Sequence, residues 1–498
     1  MVVTILPDAT SMDHIKAGQV EKVKIDVVNS TWASQTQEAH VEADGLTASG
    51  DGLTLAWEPH VQAHARARAS WTVTLEDHDV VVTAPARPLA AGIRVDSDNP
   101  AKVMLERALS DLDGLLMSHA EHPDLRFSAA GAPWFFTLFG RDSLITARFI
   151  LDADPTLAAD TIKLLAQFQG TKVDPVTAEQ PGKILHEVRR SGISPNPQAG
   201  LPSLPPIFYG TIDATPLWIS LLRAVHDAGV MGEEVRELLP NLRAALTWMR
   251  EFGDADGDGF LEYLDETHLG LANQGWKDSG DSVRWMDGSL AEGPIALCEV
   301  QGYAYQAALD GADLLEELDP AAGPEVASLR GWAANLKERF RREFWVETTD
   351  GRYPAIALDA NKRPVNSLSS NIGHLLGTGI LSADEASGIA DLLVGPKMFS
   401  GLGIRTISTS NADYWPMRYH MGSVWPHDSA ICIEGMLAEG LTGPARTVAA
   451  GLLDAARRFD YRLPELFGGA EIGPSASPLP YPASCRPQAW AAASAVIV

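Results

Sequence analysis

The sequence predicts a mainly α-helical protein with a small β unit at its amino terminus, and three observations carry that prediction. Residues 19–88 alternate apolar and polar side chains in short runs broken by turn formers. From Asn99 onward the apolar period lengthens to that of amphipathic helices, in roughly twelve segments. Long polar or Gly/Pro-rich stretches, 180–209, 253–293 and 396–426, interrupt them, and loops of that length in a compact domain tend to be functional.

In chain order, Lys22-Val23-Lys24-Ile25-Asp26-Val27 and Ser70-Trp71-Thr72-Val73-Thr74-Leu75 read as strands, with Asp51-Gly52 as a turn between such runs. The stretch Pro85 to Gly92 leads out of this region, so residues 1–95 are assigned to a β-rich domain and 96–498 to a helical one. The first helix opens at Pro100, where a missing N–H costs nothing, and continues with Val103, Leu105, Leu109, Leu112 and Leu115 on one face. Comparable segments begin near Asp142, Thr156, Ile212, Glu233, Ile295, Pro324, Asn366, Ala383, His427, Gly443 and Pro487. No short consensus repeats along the chain, which argues against a solenoid.

Composition narrows the partners. A net charge of −26 leaves little to neutralise a phosphate backbone, which excludes nucleic acid, and no basic run marks a membrane surface. A neutral carbohydrate is neither repelled by such a field nor in need of it. Cys298, Cys432 and Cys485 are odd in number and widely spaced, giving neither a disulfide framework nor a zinc motif. The first residues lack the basic start and apolar run of a signal peptide, and no apolar stretch reaches membrane-spanning length, so a cytoplasmic protein is expected.

Two acidic segments set in aromatic and glycine residues stand out: Gly275-Trp276-Lys277-Asp278-Ser279-Gly280-Asp281 and Leu463-Pro464-Glu465-Leu466-Phe467-Gly468-Gly469. An indole beside an acid in a loop suits a sugar-cleaving site, where the ring packs on the C–H face of a pyranose and the acid protonates the leaving oxygen. The same residues also make ordinary turns and helix starts. Around the pair lie Trp134 with Arg141 and Asp142, Tyr209 with Asp213, Gln301 with Tyr303, and Trp415, Trp425, His427 and Asp428, each joining an aromatic to a group able to bind hydroxyls. These, with Trp276, are the candidate substrate-binding residues.

The ordered set Phe-Gly-Arg-Asp-Ser, Tyr-Gly-Thr-Ile-Asp-Ala-Thr, Gln-Gly-Trp-Lys-Asp-Ser, Val-Gln-Gly-Tyr, Trp-Pro-His-Asp, Pro-Glu-Leu-Phe-Gly-Gly and Pro-Gln-Ala-Trp, running from about Trp134 to Trp490, resembles the bacterial amylo-α-1,6-glucosidase (glycogen debranching enzyme) family and its glucoamylase-like relatives. The resemblance implies an (α/α)6 barrel and an inverting glycoside hydrolase releasing glucose, with Asp278 as acid and Glu465 as base. Because some relatives place the acid in a Ser-Gly-x-Asp pattern, Asp281 is held in reserve. Inversion requires a protonated acid and a carboxylate about 6.5–9.5 Å apart. Burial under Trp276 and the like charge of Asp281 are expected to keep Asp278 protonated, with Lys277 turned elsewhere. The amino-terminal region departs from the family, whose members carry a larger β domain; residues 29–60 read as a shortened version.

No cofactor is required by this chemistry. Asp254, Asp256, Asp258, Glu262 and Asp265 nevertheless follow the spacing of a calcium loop, with Asp in place of the usual terminal Glu, against the plainer reading of an acidic turn. A structural calcium there would brace the loop bearing Trp276 and Asp278. Three functions therefore stand after the sequence: an inverting α-glucosidase of the α-1,6 or small-glucoside type such as one for glucosylglycerate, a noncatalytic carbohydrate-binding barrel, and a helical scaffold for protein partners.

Overall fold

The structure, a computed structural model, describes residues 2–5, 23–26, 31–34, 37–43, 46–49, 52–56, 60–90, 100–193, 202–473 and 477–498. Two compact units result, one of Met1–Val81 with Ile193–Leu201, the other of Val82–Gly192 with Pro202–Val498.

The first unit is built from antiparallel sheets. Val2–Ile5, Gly52–Ala56 and Leu46–Ser49 pair in that order, and Lys24–Asp26, Thr31–Ala33, Gln37–Ala43 and Trp71–Asp77 form a four-stranded sheet. Along Gln37–Ala43 the alternation buries Ala39 and Val41 and exposes Glu38, His40 and Glu42, as a one-sided sheet demands.

The second unit is mainly helical. Its helices are α1 (Pro100–Leu115), α2 (Gly140–Phe149), α3 (Pro155–Gln167), α4 (Ala214–Asp227), α5 (Leu239–Glu251), α6 (Cys298–Leu318), α7 (Gly323–Glu343), α8 (Ala383–Leu393), α9 (Pro426–Ala438), α10 (Thr442–Arg458) and α11 (Ala489–Ile497), with a single helical turn at Glu234–Glu237 and a 3-10 helix at Ser370–Leu375. Their starts carry the local signals the chain provides. Asp154 accepts from the Leu157 N–H ahead of Pro155, and Ser382 with Glu385 closes a reciprocal capping box on α8.

The packing alternates along the chain. Helices α2, α4 and α6, the 3-10 helix, α9 and α11 each pack on the next in that order, and α11 returns to α2, so these six elements close a ring. Helices α1, α3, α5, α7, α8 and α10 pack outside it, each against at least one element of the ring. The inner α9 and α11 are apolar nearly all round and almost wholly buried, whereas the outer α7 and α10 bury a single stripe. Among the described residues no helix is long and apolar enough to cross a membrane. The segment Pro85 to Gly92 runs partly into residues 91–99, which lie outside the described residues, as do parts of 29–60.

Candidate active site

The first turns of the six ring elements carry the polar residues, and contacts between those turns gather them at one end of the ring. Arg141 and Asp142 open α2, Asp213 precedes α4, Glu299 and Gln301 open α6, Asn371 and His374 lie on the 3-10 helix, His427 and Asp428 open α9, and Gln488 and Trp490 open α11. Helix N-termini carry partial positive charge, which offsets part of the cost of crowding carboxylates there.

Asp278 enters this end from the long loop before α6. Its carboxylate lies 3.2 Å from Arg141 Nη2, while Arg141 Nη1 is shared between the two oxygens of Asp213, each 3.2 Å away. Burial alone would lower the Arg141 pKa, but Asp213, Asp278 and Asp142 raise it, so the guanidinium stays charged. Contrary to the burial expected under Trp276, the Asp278 side chain is 32 % exposed.

Glu465 is buried, and each of its oxygens accepts a hydrogen bond: Oε1 from the Tyr419 hydroxyl at 2.5 Å and Oε2 from the Cys485 N–H at 2.8 Å. Its loop is pinned to the segment bearing Tyr419 by a close backbone approach. A Cβ on Gly469 would sit 1.8 Å from the Gly422 carbonyl oxygen, and Gly422 itself adopts φ +142°, so both positions demand glycine.

The two carboxylates share neighbours. Asp142, buried, is pushed up to about 7 by desolvation and then, against the pull of Arg141, by the charges of Asp278, Glu465 and Asp213. Burial followed by Glu465 and Asp278 likewise drives the Tyr419 phenol well above its ordinary value, so it remains a donor. Asp281 accepts from Ser279 Oγ at 2.9 Å, and with Glu465 it raises the pKa of Tyr481, after burial.

Beneath this lies an aromatic floor. The Trp276 ring is stacked on His374 and meets Trp425, His427 and His420 edge-on, while His427 stacks on Trp490 with centroids 3.7 Å apart. Trp276 is therefore a buried brace in this structure, whereas Trp415 is 61 % exposed. Several buried polar atoms of the floor have no hydrogen-bond partner among the described residues: Trp276 Nε1, Trp490 Nε1, both ring nitrogens of His427, Asp428 Oδ2 and Gln488 Oε1. Groups of this kind are satisfied by water or by ligand hydroxyls.

Other candidates are engaged within the protein. Gln301 bonds the Leu261 N–H and the carbonyls of Leu261 and Leu297, which braces the loop ahead of Asp278. Tyr209 donates to the Phe168 carbonyl, Trp134 to that of Ala483, and Trp425 to that of Tyr419. Tyr303 and Asp428 meet His374 from either side, at 2.6 and 2.8 Å. Lys277 turns into the interior, toward Asn371 and Thr406. Tyr419, His420, Asn371 and His374 were not singled out by sequence; Tyr419 and His420 sit inside the aromatic segment 414–428, whose composition was the available signal.

The acidic loop places a cation of its own. Lys362 Nζ lies 2.7 Å from Asp256, 2.7 Å from Asp258 and 2.6 Å from Glu262. Asp254 accepts from the N–H groups of Gly257 and Gly259 while lying within 4.8 Å of Asp256 and Glu262, and Asp265 turns away to Thr267 and Gly270. Asp254, Asp256 and Glu262 thus come close enough together to hold an ion, but an ammonium already lies against Asp256, Asp258 and Glu262, and Asp265 is engaged with its own turn. Separately, a cavity of about 360 Å³ among Leu144, Arg148, Phe149, Ser220, Glu434 and Ile497 contains none of the candidate residues.

A family model for the mannosylglycerate hydrolase MGH1-like glycoside hydrolase domain matches residues 151–467. The chain belongs to that family. The sequence motifs likened to debranching enzymes are thereby supported at the level of glycoside hydrolases, with the MGH1-like group the one shown. Among solved structures, GH63 mannosylglycerate hydrolase from Thermus thermophilus in complex with glucose matches with TM-score 0.57 at 16 % identity, covering 79 % of this chain and 99 % of that one. The same enzyme in complex with Tris and D-glycerate gives 0.56 at 15 % identity over the same shares, and an uncharacterized conserved protein of that organism gives 0.55 at 15 %, again over 79 % and 99 %. These likenesses concern the fold. No curated protein sequence matches the MGH1-like chain.

Proposed function

We propose that this glycoside hydrolase cleaves the α-glycosidic bond of a short glycoside with inversion, Asp278 acting as general acid and Glu465 as general base. The observation that carries the reading is that Arg141 holds Asp278 and Tyr419 holds Glu465, while Asp142 and Tyr419 each feel the charges of both carboxyl groups, which supports their lying near one another although their loops are far apart in sequence. In the reaction, protonated Asp278 gives its proton to the glycosidic oxygen as the C1–O bond breaks. A water deprotonated by Glu465 attacks C1 from the opposite face, leaving a β-hemiacetal and the free alcohol. Hydrogen bonds to both oxygens of Glu465 fix its direction, and Tyr419 supports a carboxylate that must accept a proton.

The closed ring of six inner elements wrapped by outer helices supports an (α/α)6 barrel, formed by residues 96–498 as the catalytic domain. The unpartnered floor groups support recognition of sugar hydroxyls. For the substrate, the family points to a glycosylated hydroxy acid of the mannosylglycerate or glucosylglycerate kind, in line with the glucose- and glycerate-bound structures of the Thermus enzyme. The ordered motifs retain hydrolysis of an α-1,6 glucosyl stub as the second reading. Three buried cysteines, none of them in a disulfide among the described residues, support a reducing, cytoplasmic setting.

The test is a panel of mannosylglycerate, glucosylglycerate, isomaltose, panose and glycogen limit dextrin, assayed for sugar release with the anomer followed by NMR. Turnover of the glycerates with β-anomer released is expected. Turnover of limit dextrin alone would move the assignment to debranching, and no release from any would leave a binding protein.

A further inference from the structure

Between Trp276 and Asp278 the chain places a lysine that the proposed chemistry does not use. Lys277 is 4 % exposed, and its ammonium lies 2.7 Å from Asn371 Oδ1, 2.5 Å from the Thr406 carbonyl oxygen and 4.9 Å from the centre of the Trp276 ring. All three partners are neutral. Desolvation draws the pKa down to about 8, with Asp428 and Glu299 pulling it back, so a charge is held here at a cost.

What the lysine joins gives that cost a purpose. Asn371 Oδ1 also accepts from Ser369 Oγ, and Asn371 Nδ2 donates to Glu299 on α6, so one branch ties the Asp278 loop to two ring elements. Thr406 pairs through its N–H and hydroxyl with the Ser423 carbonyl and accepts from the Gly422 N–H. That second branch belongs to the segment carrying Tyr419, which donates to Glu465. We propose that Lys277 is a positioning residue that rivets the acid-bearing loop to the segment holding the base, fixing the mutual placement of Asp278 and Glu465.

The proposal rests on the assignment of Asp278 as acid, and its test separates the two. Lys277→Met keeps length and apolar bulk but removes both hydrogen bonds. Hydrolysis of an alkyl α-glycoside, whose leaving group needs the proton, is expected to fall about 10²-fold in kcat, with KM changed little. Hydrolysis of the α-glycosyl fluoride of the same sugar, which hardly needs the acid, should fall less than about tenfold. Equal loss on both substrates, or no loss on either, would overturn the proposal and leave Lys277 as core packing. Should the Met variant not fold, Asn371→Ala removes one of the two acceptors and is expected to show the same leaving-group dependence in weaker form. Asp278→Asn serves as the reference. If it does not discriminate between the two substrates, the acid assignment fails, whereas a discriminating Asp278→Asn beside a non-discriminating Lys277→Met condemns the rivet alone.

Discussion

Arg141 holds Asp278 at 3.2 Å through one terminal nitrogen while the other grips Asp213. An arginine contact favours the ionised form of a carboxylate, the opposite of what a proton donor needs. As the proposed acid, Asp278 has to hold its proton against this pull. Asp278→Asn is expected to abolish turnover of glycosides with poor leaving groups and to spare the glycosyl fluoride, and Asp281→Asn to retain most activity on both. Steady-state kinetics on the two substrates decides it; the reverse pattern would hand the acid role to Asp281.

Removing the guanidinium has a structural consequence as well. Arg141→Met leaves Asp213, 1 % exposed, without its cation beside Asp142 and Asp278. Breaking a buried pair in this way costs about 3–5 kcal/mol. Denaturant unfolding at neutral pH should show that loss, and a change below about 1 kcal/mol would mean that the three carboxyl groups are far better hydrated than their burial implies.

Glu465, the proposed base, offers a graded test. Glu465→Gln keeps size and, with its amide oxygen toward the Cys485 N–H, one of the two accepted hydrogen bonds, but cannot take the proton of water, so kcat should fall by roughly 10²–10⁴ with KM nearly unchanged. Tyr419→Phe removes a donor to a buried carboxylate, an interaction of about 1.5–3 kcal/mol, and should lower kcat by about 10–100-fold. A fully active Gln variant would remove the inverting mechanism, and a Phe variant as damaged as the Gln one would give Tyr419 a role of its own.

Asp142 sets a pH signature in stability. Its pKa is pushed up to about 7, so between about pH 4 and 7 the native state keeps a proton the unfolded chain has lost. Native stability on account of this group falls as pH rises through that window and stays low above it, by at most about 4 kcal/mol. Asp142→Asn should accordingly melt higher than the parent at about pH 8, with the difference vanishing toward about pH 4. Thermal melts at the two pH values measure this; an Asn variant less stable in the alkaline melt would show that the charge is stabilised by Arg141 beyond its desolvation cost.

Much of the helical framework was legible because its signals are local. Helices anticipated near Thr156 and His427 begin at Pro155 and Pro426, where proline at the first turn and an apolar period coincide. The segment near Asn366 shrank to a 3-10 helix at Ser370–Leu375, since a short run buried on every side has no amphipathic period to read. The hairpin Leu116–His119 with His122–Ser128 passed unnoticed between helices. In the site, Arg141, Asp142, Asp213, Asp278 and Glu465 were legible as acids and bases among aromatics. Tyr419 was not, because its meaning lies in a partner 46 residues on, nor was His420, whose contact with Ser279 spans 141 residues. Gln301 looked like a sugar ligand until the fold gave all its bonds to backbone groups.

The acidic loop provides the last test, because the same geometry makes opposite predictions for a calcium site and for an internal ion cluster. Lys362 sits at φ +57°, a conformation lysine rarely adopts, and from there its ammonium reaches Asp256, Asp258 and the fully buried Glu262 carboxylate. Burial lowers its pKa, but the hydrogen bonds it donates to the three carboxylates more than restore it, so the lysine is charged throughout the working range. A calcium ion would have to displace that charge to reach the same oxygens. We therefore expect the melting temperature of the parent protein to be unmoved by EDTA or by millimolar calcium. Lys362→Met strips the carboxylates of their cation and, since Asp256 and Asp258 remain partly hydrated, should cost about 2–3 kcal/mol, somewhat less than a fully buried pair. In that variant calcium can take the vacated position beside Asp254, so added calcium should recover part of the loss, a shift absent with the parent. Stabilisation of the parent by calcium would instead show that Lys362 yields to the ion and that the loop is a metal site after all.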